Sequence, residues 1–333
     1  MKRLIAVMAG MLVWGSTAVT AQAAPLDAAS VASGAKWLVH IDFDAARESK
    51  VGQRIREEAL KDEHVKKGLA KLHDELGTDP QTDLHGATLY GTDFTPHTGV
   101  LIVYAMADKD KLMSHLKSKH DFIALKTDDG NHELYTWTEH MGRDHKHTVW
   151  ASFPKQGVGV FADSAGDLKA ALDVIGGKGG LATDSPLLPN APKGTVFSGA
   201  VAGLTAVKLP TRLPLAKQID SVSFAAGESD GEDFDHIKVG MTNGDTAKQV
   251  KSIIDGVQAM GALRLGDHPE ALKMVNALKA SADGKTLSID WKASSDDVIK
   301  FGEKACEFMK QHRQDWQHGR GEGKRHERSS GKE

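Results

Sequence analysis

The chain has 333 residues, 26% of them charged, with a formal net charge of −3 and one cysteine, Cys306. This slightly acidic balance lacks the basic excess that marks a nucleic-acid binder. A single cysteine excludes an intramolecular disulfide, a CxxC redox pair, a CxxCH haem site and a four-cysteine zinc site.

The first stretch, MKRLIAVMAGMLVWGSTAVTAQAAP, has the parts of an export signal. Lys2 and Arg3 are its positive end, Leu4 to Trp14 its apolar run, and Ala21-Gln22-Ala23 the small-x-small pattern for cleavage after Ala23. The apolar run is too short to span a bilayer. No cysteine follows it to carry a lipid. Residues 1–23 are therefore expected to be a signal peptide, leaving a periplasmic or secreted product from Ala24 onward with formal charge −5 and no transmembrane segment. That length suits two domains or one large one.

AKWLVHIDFDAARES reads as a strand from Trp37 to Phe43 that turns into a charged helical region reaching Leu76. Asp42 and Asp44, at i and i+2, would share a strand face, where paired carboxylates can do acid–base work or bind a cation. An aspartate cap at the start of the helix explains them as well, and is the reading adopted.

Three segments then share one plan. From Asp83 to Leu116 the pattern is strand, turn, strand, and a helix opening at Asp108. From Thr148 to Ile175 two strands flank Lys155-Gln156-Gly157 and precede a helix with Leu168, Ala171, Leu172 and Ile175 on one side. From Asp220 to Met260 the turn is Asp230-Gly231, and Val250, Ile253, Ile254, Val257 and Met260 recur at helical spacing. The exits repeat too: DGNHELYTW and DGKTLSIDW each place a tryptophan seven residues after the turn glycine. This pattern predicts an α+β fold of antiparallel sheets with helices packed on one face, built from an internally duplicated strand–turn–strand–helix module. The expected halves are 24–205 and 206–311, with Pro210 and Pro214 in the linker. Residues 312–333 form a polar tail expected to be disordered.

HMGRDHKHTVW places His140, His145 and His147 beside a turn. Pairing across Gly142-Arg143 would set His140 opposite His145, Glu139 opposite Lys146 and Tyr135 opposite Trp150. All three imidazoles would then lie on one outer face, with Tyr135, Trp137 and Trp150 on the other. Three imidazoles supply three of the four ligands of zinc, or a site for copper. A solvated hairpin end also accounts for them and is the reading adopted; the expected cofactor is none, with zinc or copper the alternative.

No catalytic motif is found. VIGGKGGLATDSP lacks the serine or threonine a phosphate loop needs after its lysine, and SHLK (114–117) lacks the companion motifs of penicillin-binding enzymes. Near the end, Val298, Phe301, Ala305 and Phe308 mark a helical stripe expected to be buried, with Cys306 an inert residue beside it.

DLHGATLYG, AALDVIGGK and TAKQVKSIIDGVQAM, behind the AKWLVHIDFDA start, are similar to a group of uncharacterised exported bacterial proteins. That resemblance implies an α+β fold and an envelope location, and no catalytic residue. The sequence is thus read as a non-catalytic binding or structural protein of the cell envelope, with envelope proteins as partners. A metal-binding protein and an unfamiliar enzyme using Asp42 and Asp44 are the alternatives.

Overall fold

The computed structural model describes residues 25–95, 98–127, 130–140, 146–207 and 214–309. The expected signal peptide, the 312–333 tail, Pro210 of the linker and His145 lie outside them.

Among the described residues twelve strands form a single sheet. They are β1 (Trp37–Asp42), β2 (Leu84–Gly91), β3 (Gly99–Ala105), β4 (Ile123–Lys126), β5 (Glu133–His140), β6 (Lys146–Lys155), β7 (Val158–Ala162), β8 (Thr195–Ala202), β9 (Ile219–Ser229), β10 (Glu232–Met241), β11 (Leu278–Asp283) and β12 (Thr286–Ser294). Their spatial order is β11-β12-β10-β9-β8-β1-β2-β3-β7-β6-β5-β4, and every pairing is antiparallel. The β9–β10 turn owes its tightness to Asp230 and Gly231, both left-handed (φ 54° and 78°), as a two-residue hairpin loop requires.

The helices are α1 (Phe43–Glu48), α2 (Lys50–Ala59), α3 (Glu63–Leu76), α4 (Lys109–Lys117), α5 (Ala165–Ile175), α6 (Gly244–Arg264), α7 (Pro269–Asn276) and α8 (295–309). Local signals set their ends. Asp42, Asp62, Asp108, Ser164 and Asn243 each accept a backbone N–H as N-cap of α1, α3, α4, α5 and α6. Gly77 closes α3 in the left-handed conformation (φ 64°).

The α+β class and the repeated module are both present. The three expected strand–turn–strand–helix units are β2-β3-α4, β6-β7-α5 and β9-β10-α6. The duplication extends to strand order. In the second half, β9 and β10 lie beside β12 and then β11; in the first, β2 and β3 stand in the same relation to β5 and β4, with the β7–β6 hairpin inserted between. The two halves meet where β8 pairs with β9, so the sheet runs on without a break.

Helices cover both faces, where the sequence pattern suggested one. Leu38, Tyr90, Ile102 and Val160 point to a face covered by α5, whose Leu168 and Leu172 are almost fully buried there. At roughly 1.5–3 kcal/mol for each buried leucine, this contact is a main source of stability. Ile41, Ala87 and Leu101 occupy the other face under α1. Register carries that face outward from Leu101 to Phe161, Ala151 and Tyr135 beneath α4, and inward through Leu89, Val39 and Gly199 to Phe224, Ile237 and Ile289 beneath α6. With apolar residues on both faces, the alternation in β3, β6 and β7 could not tell one side from the other.

The stripe expected to bury α8 is open. Phe301 and Phe308 are exposed, and Cys306 is an exposed free thiol. This helix is held at its flanks by ion pairs, Arg54–Glu303 to α2 and Lys273–Asp297 and Lys304–Glu270 to α7. Periodicity reported an amphipathic helix but not whether anything covers it.

Candidate functional site

On the face shared by α1 and α4 the sheet floor lies low. Ala87, Val103 and Gly159 form one cross-strand row over β2, β3 and β7, and Ala105 and Gly157 follow in the next. Small side chains there leave space that the overlying helices do not fill. The result is a cleft of about 930 Å³. Phe43, Leu84, Leu101 and Phe161 line its floor and end, Tyr135, Phe153 and Val158 its side, and Leu72 and Leu76 of α3 with Leu112 and Met113 of α4 its roof. A Cβ at Gly159 would sit 3.0 Å from the Phe161 ring and 3.3 Å from Phe153, so those rings would have to give way by a few tenths of an ångström. Those two rings meet edge to face at 6.1 Å.

The roof rests on few contacts. Only Leu69 of α3 is fully buried, and α3 packs mainly on α4 rather than on the sheet. Gly77 is pressed so closely against Asp108 and Lys111 that a Cβ would approach the Asp108 Cβ to 2.5 Å. His115 of α4 faces Glu75 of α3 at 3.8 Å.

The rim is polar. Lys109, Asn131, Glu133, Lys155 and Gln156 are exposed around the opening. Tyr135 donates a 2.6 Å hydrogen bond to Glu133, and burial together with that carboxylate pushes its phenol up to about 12, so it stays a neutral donor. The buried Ser152 hydroxyl donates to the Glu133 carbonyl at 2.7 Å. Among the described residues neither Lys109 nor Lys155 has a carboxylate partner. The rim thus presents two lysines and one carboxylate above an apolar interior.

The residues singled out by sequence lie elsewhere. The observed hairpin register differs by one from the expected one: His140 pairs with Lys146, Glu139 with His147, Trp137 with Val149 and Tyr135 with Ala151. Positions 140 and 147 therefore fall on opposite faces of the sheet. His147 shares the Tyr135–Trp137 face, and its Nε2 is 2.7 Å from an Asp163 carboxylate oxygen. Trp150 takes the other face, against the α5 cluster. The physical reason is size matching: small Ala151 and Val149 lie opposite Tyr135 and Trp137, where two large rings would otherwise collide under α4. Among the described residues no group of three or more His, Cys, Asp or Glu is placed to hold a metal ion.

Asp42 and Asp44 do not share a strand face, because the strand ends at Asp42. Asp42 caps α1, accepting from the Ala45 N–H at 2.9 Å, and burial pushes its carboxyl up. Asp44, in the first turn, is ion-paired with Arg47 and accepts from His85 Nδ1 at 3.1 Å. Arg47 also donates to the Leu84 carbonyl at 2.9 Å. Asp42 and Asp44 are 5% and 3% exposed and sit in the α1–sheet interface, outside the cleft lining.

Sequence reasoning missed the cleft. Its one local signal was Leu69, Leu72 and Leu76, a single apolar stripe in an otherwise charged segment.

No protein-family profile matches the chain, and no curated protein matches it. Among the solved structures it resembles are three crystal forms of TP0453. Form IV has a TM-score of 0.45 at 11% identity, over 84% of this chain and 97% of that one. Form III has 0.44 at 10%, over 83% and 98%, and form I has 0.41 at 10%, over 86% and 99%. Among the described residues no helix is long and apolar enough to cross a membrane.

Proposed function

We propose that this protein is a non-catalytic carrier that binds one single-chain amphiphile with an anionic head, its apolar tail in the cleft under α3 and α4. The observation that carries this reading is the unfilled apolar volume of about 930 Å³, near the upper end for ligand sites and ample for a long acyl chain. Lys109 and Lys155 at the rim favour a carboxylate or phosphate head over a neutral one. The engagement of Asp42 and Asp44 in capping and ion pairing, away from the cleft, favours binding over catalysis. An export signal at residues 1–23 would place the carrier in the periplasm or outside the cell.

The test is competition against a fluorescent fatty acid on the purified protein. One-to-one saturable binding is expected, with saturated fatty acids displacing the probe about fourfold better for each added methylene, from about 0.8 kcal/mol per buried CH₂. Lys109→Glu with Lys155→Glu should weaken the acid and leave the alcohol of the same length unchanged. Absence of saturable binding, or affinity independent of chain length, would refute the assignment.

A further inference from the structure

We infer that the outer face of α6 is a contact surface for a second copy of this chain, packed helix against helix in antiparallel orientation. The inner face of α6 is accounted for: Ala247, Val250 and Ile254 pack on Val239, Met241 and Leu287. Gln258 also turns inward, donating to the carbonyls of Val275 and Leu278 at 2.9 Å each. The outward side is apolar. Ile253, Val257, Met260 and Leu263 are 60%, 60%, 59% and 84% exposed. From Gly256 to Leu263 the helix carries no charged residue. A contiguous apolar face on a charged surface marks an interaction site rather than scatter.

What selects a second copy is the placement of charge. Asp245 at the start of α6 and Arg264 at its end lie on the same side of the helix as Ile253 and Met260 by the 3.6-residue period. Both are exposed, and among the described residues neither has an ion-pair partner. An antiparallel copy brings its Arg264 to Asp245 at one end and its Asp245 to Arg264 at the other. The two pairs are one contact repeated by the two-fold axis. The same register sets Ile253 over Gly256 of the second copy, where nothing beyond the helix's own local backbone and the flanking residues lies within 4 Å of the Cβ position. The helix dipoles oppose one another as well. A 21-residue helix packed along its length buries on the order of 1,000 Å² in total, the lower limit for a specific interface. The dimer is accordingly a reversible one, with a Kd on the order of micromolar.

Sedimentation velocity on the full purified protein from about 1 to about 100 µM tests this. The wild type should move from monomer to dimer across that range. Met260→Lys should raise the Kd at least tenfold. Asp245→Arg and Arg264→Asp should each raise it severalfold, and the double swap should restore it. Circular dichroism on each variant separates lost pairing from lost folding. A wild type that stays monomeric, or a dimer indifferent to Met260→Lys or not rescued by the double swap, overturns the assignment. So does a monomer whose binding to phosphatidylcholine vesicles is lost in Met260→Lys, since the stripe would then meet lipid.

Discussion

Val103→Trp should block the cleft without harming the fold. Val103 is half-buried at the centre of the low floor, between Ala87 and Gly159, with its side chain toward the cavity. An indole there projects into empty volume rather than into packed neighbours, so stability should stay within about 1 kcal/mol of wild type. The same indole displaces a stretch of ligand tail. If about three methylenes lose their contact at ~0.8 kcal/mol each, binding weakens by about 2–3 kcal/mol, roughly 30- to 160-fold. The loss should depend on length. A short acid that never reaches Val103 should bind as before, while longer acids should each lose about this amount. Titration calorimetry with a series of saturated acids reads this directly, and urea unfolding reads the stability. Equal loss for short and long chains would place the tail elsewhere. Unchanged affinity for long chains, with a folded variant, would remove the cleft from the binding site.

Other outcomes follow from the same structure. Burial pushes the Asp233 carboxyl up from 3.8 to about 6, with Glu228 and Asp235 adding to it and Ser295 opposing. Because the native state holds this proton more tightly than the unfolded chain, its contribution to stability falls as pH rises from about 4 through about 6. Asp233→Asn should therefore stabilise by about 1–3 kcal/mol at pH 8 and by almost nothing below pH 4, and an equal effect at both in urea melts would contradict this. Asp44→Asn should cost about 1–3 kcal/mol, because it removes the carboxylate ion-paired with the half-enclosed Arg47 while Asp42 and Asp83 still act on that cation, whereas Asp44→Leu with Arg47→Met should be close to neutral; equal costs for the two would show that the charges do not act as a pair. Replacing His140, His145 and His147 together by alanine should leave zinc and copper binding in equilibrium dialysis unchanged, since positions 140 and 147 lie on opposite strand faces; loss of one equivalent of metal would establish a histidine site.

How much of this was legible depends on distance along the chain. The Asp42 and Asp108 caps, the Asp230-Gly231 turn and the three repeated units are written within a few residues, and all are present. The β5–β6 register was harder. Trp150 is apolar on one side and Tyr135 and Trp137 on the other because α5 and α4 cover opposite faces, so a one-residue slip left the pattern equally plausible. The cleft was beyond local reading. Ala87, Val103 and Gly159 are unremarkable one by one, and only the sheet order makes them neighbours. On α8, the spacing of Phe301 and Phe308 showed a stripe but held no information about what would cover it.

The position of β1 has a consequence for the order in which the protein can form. Trp37–Asp42 is central in the sheet, flanked by β2 and by β8, whose Ala200 pairs with Leu38 across about 160 intervening residues. The hairpins β2–β3, β6–β7 and β9–β10 close over short loops and can assemble within microseconds. The β1–β8 seam requires closure of a long loop and cannot exist on a ribosome before residue 202 has been added. The second half, made only after β8, joins the sheet through the β8–β9 pairing. Refolding should accordingly show a slow phase, set by a non-local closure rather than by the local hairpins, in which the seam forms last. A nascent chain of this design stays unsealed for most of its synthesis.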